Sequence, residues 1–143
     1  MAIEISPQKY SGSVRPMAFG SGERAFTVGG DTAYPFFTFE GKMPNAPKIG
    51  IQVLDFAPDD WAEACVEPYK DVLNDPVAWA RKAQDEYGAD FIQLWLKSTD
   101  PTGLNRRAAD AAETAKAVAD AIDVPLLVWG WANAQKDAEV LSK

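Results

Sequence analysis

Residues 91–103 read FIQLWLKSTDPTG, six nearly all apolar residues that give way at once to a polar turn. On an extended chain Ile92, Leu94 and Leu96 fall on one face, and Phe91, Gln93, Trp95 and Lys97 on the other. A short apolar run bounded by turn residues predicts a buried strand. Upstream, IGIQVLD (49–55) repeats the pattern, with Ile49, Ile51 and Val53 opposing Gly50, Gln52 and Leu54. Downstream, VPLLVWGW (124–131) supplies a third strand.

Helix signals fill the intervals. APDDWAEACVEPY predicts a short helix capped by Asp59 or Asp60 and ended by Pro68. In NDPVAWARKAQDEYG (74–88) Asp75 stands at the N-cap, Pro76 at the first helical position and Gly88 just past the end. RRAADAAETAKAVADAI (106–122) predicts a helix with Ala108, Ala112, Ala115, Ala119 and Ile122 on one stripe, and with Arg106 and Asp110 one turn apart on the wet side. ANAQKDAEVLSK opens another helix. Strand, helix, strand, helix, strand at this spacing is the pattern of right-handed βαβ units and a parallel sheet.

One face of the first two strands is greasy and the other carries a glutamine in each, which suits the filled interior of a (β/α) barrel better than a sheet covered on both faces. The predicted fold is therefore α/β: parallel (β/α) units of a partial TIM barrel over residues 48–143, preceded by an amino-terminal arm and β-hairpin over residues 1–47. A whole barrel takes roughly 250 residues, and three units with their helices cannot close one. In the arm, residues 1–24 show no sustained apolar period, and Gly29-Gly30 within AFTVGGDTAYPFFTF is placed at a hairpin turn. FGSGERA formally matches a dinucleotide fingerprint, but the strand before it and the helix after it that phosphate binding needs are missing.

Composition narrows the chemistry. The 143 residues are 47% apolar and 24% charged, with a net charge of -7 and no run of Lys or Arg, which argues for one ordinary domain and against nucleic acid or an anionic membrane as partner. No stretch approaches the roughly 20 apolar residues of a membrane span, and MAIEISPQKY is not a secretory leader, so the expected location is cytoplasmic. There is no histidine and a single cysteine, Cys65, which reads as a buried small hydrophobe. Ser-His and Cys-His machinery, a disulfide within the chain and four-thiolate clusters are excluded, and no metal is expected to bind this chain alone.

In parallel α/β proteins ligands gather at the carboxyl ends of the strands. Ser98, Thr99 and Asp100 sit there after the second strand, Asp55 after the first, and Trp131 and Asn133 after the third. These six are the candidate binding residues; Trp129 and Trp131 would offer a surface to a flat ligand. The same acids and amides also suit simple helix-capping turns.

PFFTFEGKMPNAPKIGIQVLD, DPVAWARKAQDEYGADFIQLWLKSTDPTG and AIDVPLLVWGWANAQKDAEVL together resemble the small (delta) subunit of the corrinoid iron–sulfur protein of the carbon monoxide dehydrogenase/acetyl-CoA synthase system. The resemblance runs from about residue 25 onward and is most specific in GADFIQLWLKSTDP and VPLLVWGWANAQKD. It implies a TIM-barrel subunit, of whose barrel this chain would be the first, amino-terminal part, paired with a large subunit that carries cobalamin and a four-iron cluster. The corrinoid would lie at the interface between the two, with methyltetrahydrofolate methyltransferase and acetyl-CoA synthase as transient partners in methyl transfer. It points to a non-catalytic or co-catalytic subunit of the reductive acetyl-CoA pathway, lining the cobalamin site. Two other readings stand beside it: a pterin-binding methyltransferase barrel using Asp55, Asp100 and Asn133, and a purely structural assembly subunit.

Overall fold

The computed structural model describes residue 4 and residues 6–143. Two compact units meet in the chain between Lys48 and Ile49.

In the first unit β1 (Met17–Phe19) and β2 (Phe26–Val28) form an antiparallel hairpin, with Met17 opposite Val28 and Phe19 opposite Phe26. The two phenylalanine rings stack at 5.7 Å. The hairpin turn is not Gly29-Gly30 but the FGSGERA segment, where Gly20 and Gly22 take positive φ and Gly22–Arg24 form a 3-10 turn. Gly29 and Gly30 do adopt φ of 76° and 85°, but past the end of β2. There the chain doubles back on residues 14 and 15, so close that a Cβ at Gly29 would lie 2.7 Å from the Arg15 carbonyl oxygen. Positive φ was readable from the residue type; which bend would use it depended on the strand that Met17–Phe19 supplies.

The second unit is mixed α/β. Strands β3 (Gly50–Leu54), β4 (Phe91–Trp95) and β5 (Leu126–Trp129) lie parallel in the order β3-β4-β5. The register pairs Ile51 with Ile92 and Ile92 with Leu126, and then Val53 with Leu94 and Leu94 with Val128. These rows face the helices α2 (Pro76–Asp85), α3 (Ala108–Ala121) and α4 (Ala134–Val140). Helix α2 packs on β3 and β4 and against α3, which in turn meets α4. Val53, Ile92, Leu94 and Trp79 are fully buried between the layers, where apolar area removed from water is worth roughly 25 cal/mol per Å². Trp61 meets the Trp79 ring edge-on, and Tyr69 packs beside it.

The three strands form an open sheet and do not close into a barrel. Closure needs tilt and stagger shared among about eight strands, which three cannot supply. β5 is also shorter than VPLLVWGW suggested: Pro125 has no N–H to pair, and the Trp131 N–H is taken by Asp137. At the other end of the sheet Phe91 lays its ring over Gly50, where any Cβ would collide with it.

Helix α2 follows its signals: the Asp75 carboxylate accepts from the Val77 and Ala78 N–H groups, and Gly88 takes φ of 63° beyond the end. Helix α1 is only Glu63–Val66, continued by a 3-10 turn through Pro68, and neither Asp59 nor Asp60 caps it. Its N-cap is Ala62, while Asp60 turns to Lys97 at 3.4 Å. A single turn has one buried side at most; Trp61 and Val66 take it, which leaves Cys65 exposed, contrary to the sequence expectation. In α3 the buried positions are Ala108, Ala111 and Val118, continued by Ile122 beyond the helix, rather than Ala112 and Ala119. The spacing of about 3.5 residues brings the large Val118 onto the core. Arg106 precedes the helix, and it is Arg107 that pairs with Asp110 through two bonds of 2.9 and 2.7 Å. No described helix is long and apolar enough to cross a membrane.

Candidate functional site

The carboxyl ends of β3, β4 and β5 bring the six candidate residues to one end of the sheet, in two distinct settings. Around β4, the chain leaves the strand in a 3-10 turn, Lys97–Thr99, in which Ser98 and Thr99 are buried. The Asp55 carboxylate, at the end of β3, accepts from the Ser98 N–H at 3.0 Å and from the Ser98 hydroxyl. Arg106 stands 3.9 Å away as its counter-charge, and the Arg106 N–H donates to the Ser98 carbonyl at 2.9 Å. Thr99 is turned inward, its hydroxyl donating to the Leu96 carbonyl at 2.7 Å. A buried carboxylate is tolerated only when paired and hydrogen-bonded, and this cluster meets both conditions. Asp100 closes the turn by accepting from the Thr102 N–H and hydroxyl, both at 2.8 Å, an Asx turn.

Around β5 the polar groups again serve the backbone. Asn133 caps α4 by accepting from the Lys136 N–H at 3.0 Å. Asp137, which the sequence reading did not single out, reaches back to the N–H groups of Trp131 and Ala132, both at 2.9 Å. The turn is tight enough that Ala132 takes φ of 70° and a Cβ at Gly130 would strike Asp137.

What these turns present is aromatic. On the face away from the helices, register places Gln52, Gln93 and Leu127 in one row and Leu54, Trp95 and Trp129 in the next. Trp131 stacks on Trp95 with ring centroids 5.8 Å apart and planes 10° from parallel. Trp129 is 52% exposed. Lys97 holds its ammonium 5.8 Å from the Phe56 ring centroid and 5.9 Å from that of Trp95, within cation–π range. The Trp95 indole N–H is buried without a hydrogen-bond partner.

The six residues singled out from the sequence lie at one end of the sheet, and Arg106, Lys97, Phe56 and Asp137, which sequence reasoning did not single out, lie there with them. Asp137 could have been suspected from its place one turn into α4 behind a Gly-Trp-Ala turn. The arrangement offers a flat apolar surface and one cation at its edge. Asp55, Asp100 and Asn133 each use acceptor oxygens on N–H groups of the fold itself. Among the described residues no three or more acids or thiols gather as metal ligands.

Residues 16–143 match the family described as CO dehydrogenase/acetyl-CoA synthase delta subunit. Over 99% of its length the chain is 37% identical to the acetyl-CoA decarbonylase/synthase complex subunit delta of Archaeoglobus fulgidus, covering 32% of that protein. It is 40% identical to subunit delta 1 of the same complex from Methanosarcina thermophila over 87% of the chain and 28% of the relative. Against the delta subunit of Methanothermobacter thermautotrophicus it is 34% identical, with 99% of the chain and 37% of the relative covered. The chain thus spans about a third of the length of the curated relatives it matches.

Proposed function

Because the chain belongs to the CO dehydrogenase/acetyl-CoA synthase delta subunit family, we propose that its strand-end turns form one wall of a corrinoid site in a methyl-carrying complex. The partner in this reading is a large subunit that carries the cobalamin and a four-iron cluster. The methyl group passes from methyltetrahydrofolate to acetyl-CoA synthase, each step in the company of the corresponding enzyme. The parallel units would be part of a TIM barrel completed by further strands, and the assembly would work in the cytoplasm.

The observation that carries the proposal is the tryptophan surface. A corrin macrocycle is broad and flat and is rimmed by amide side chains. Trp129 and Trp131 offer it stacking area, Trp131 itself being backed by the Trp95 ring. The residues present therefore fit the group as a wall. With no histidine among the 143 residues, this chain would supply no imidazole to the group. When bound, the corrinoid supplies the metal that carries the methyl group. The chain's own part is to exclude water from that face and to hold the ring's orientation, with Lys97 placing a positive charge at the rim.

The test is co-purification with the large subunit, reading corrinoid absorbance per complex. Trp131→Ala is expected to lower retention roughly tenfold, equivalent to about 1.4 kcal/mol, while Trp131→Phe retains most of it and the partner still co-purifies. Undiminished corrinoid in Trp131→Ala and Trp129→Ala would reduce the chain to an assembly subunit. Saturable methyltetrahydrofolate binding by the chain alone would favour a pterin site instead.

A further inference from the structure

The first unit contains a cavity of about 310 Å³ lined by residues 10–14 and 31–34, at the small end of the range for ligand sites. Two backbone hydrogen bonds hold these segments together, Val14 N–H to the Asp31 carbonyl at 2.8 Å and Gly30 N–H to the Val14 carbonyl at 2.9 Å. Tyr10 and Tyr34 meet edge-to-face at 5.1 Å. Asp31 is the one charged residue of the lining, and its Oδ1 is shielded from water with no hydrogen-bond partner. Behind Tyr10, Glu40 accepts from the Gln8 N–H at 2.9 Å, and its Oε2 is likewise buried and unpartnered. Hydrogen bonding to Glu40, with some desolvation, raises the Tyr10 phenol above its ordinary range.

A cavity with two aromatic walls, one lining carboxylate and no lining cation is complementary to a positive charge on an alkyl stem. Carboxylate charge is shared by both oxygens, so a cation beside Asp31 relieves the unpartnered atom without touching it. Tyrosine faces add cation–π attraction. We propose that this cavity is a receptor for an arginine or lysine side chain presented by a partner polypeptide, a contact distinct from the strand-end surface and independent of corrinoid. The chain's net charge of -7 favours basic partner segments in general; the cavity selects a single side chain from them.

The probe is N-acetyl-arginine amide, titrated into the full chain while backbone amide NMR signals of residues 10–14 and 31–34 are followed. Saturable shifts confined to those residues are expected. N-acetyl-citrulline amide, of the same shape but neutral, should bind at least tenfold more weakly. Asp31→Asn should weaken the arginine probe about tenfold. Tyr34→Ala, at a 63% exposed position, should weaken it several-fold with the other amide signals in place. Equal affinity for arginine and citrulline, or no saturable shift in the parent chain, would overturn the proposal. So would methylguanidinium binding as tightly as the capped arginine, since the occupant would then be a free small cation and not a polypeptide side chain.

Discussion

The turn after β4 and the turn after β5 are each held by one aspartate, but the two carboxylates arrive from opposite directions. Asp55 comes from the neighbouring strand, 43 residues before Ser98, and is buried with Arg106 as its counter-charge. Asp137 comes from the helix that follows, six residues after Trp131, and is only partly buried. The first bond ties two strands and the entry to α3 into one unit; the second ties a turn to its own helix. The β4 turn therefore shares the stability of the whole sheet, whereas the β5 turn, which carries the exposed tryptophan surface, can adjust with little cost elsewhere. The sheet end thus combines a rigid floor with an adaptable rim.

The largest expected difference is in global stability. Asp55→Ala leaves the Ser98 N–H and hydroxyl without an acceptor and Arg106 without its partner, and is expected to cost on the order of 3 kcal/mol, read as a lowered urea midpoint. Amide exchange should rise across both β3 and β4. A loss confined to the turn would break the contrast drawn here. Next is Gly130→Ala, whose new Cβ must displace Asp137, at a cost of about 2 kcal/mol. Combined with Asp137→Ala, part of that cost should vanish, with a coupling energy of at least about 0.5 kcal/mol; strict additivity would show that the two groups do not meet. Asp137→Ala alone should cost about 1 kcal/mol, because water reaches much of the turn, and should speed exchange at Trp131 and Ala132 only.

The smallest effect concerns pH. Arg107 hydrogen-bonds Asp110 and holds its carboxyl below the usual 3.8, and Lys82 does the same to Asp71. A depressed carboxylate contributes stability that is present above its unfolded value and lost as pH falls through the lower folded value. A shallow loss of stability is therefore expected below about pH 3.8, flattened by Arg107→Gln and Lys82→Met. Both pairs are exposed and screened, so a steep acid transition removed by these variants would contradict the reading.

The sequence carried the order of strands and helices because local signals agreed with one another: Asp75-Pro76 at a helix start, Gly88 past its end, and alternation in 49–55 and 91–96. It also placed the polar turns together at the carboxyl ends of the strands. It misplaced the hairpin turn because two turn-competent glycine pairs, Gly20/Gly22 and Gly29/Gly30, flank Phe26–Val28 and only pairing with Met17–Phe19 decides between them. It assigned Arg106 to a helix face because periodicity carries no information on the buried Asp55 that recruits it. The capping reading of Asp100 and Asn133 accounts for the bonds they make, and the polar turns expose tryptophan, not their acids, for a reason sequence spacing does not show: the acids are needed to satisfy N–H groups that the turns would otherwise leave orphaned.

The spatial order β3-β4-β5 repeats the order of synthesis, so each strand docks on one already made and no gap is left for a later segment to fill. A growing chain leaving the ribosome can close the β3–β4 pairing and the Asp55–Ser98 bond once Arg106 has emerged, before α3 or β5 exists. Assembly is then vectorial, and pauses in translation after residue 106 would be tolerated better than pauses between β3 and β4, when the apolar side of a single strand has nothing to lie against.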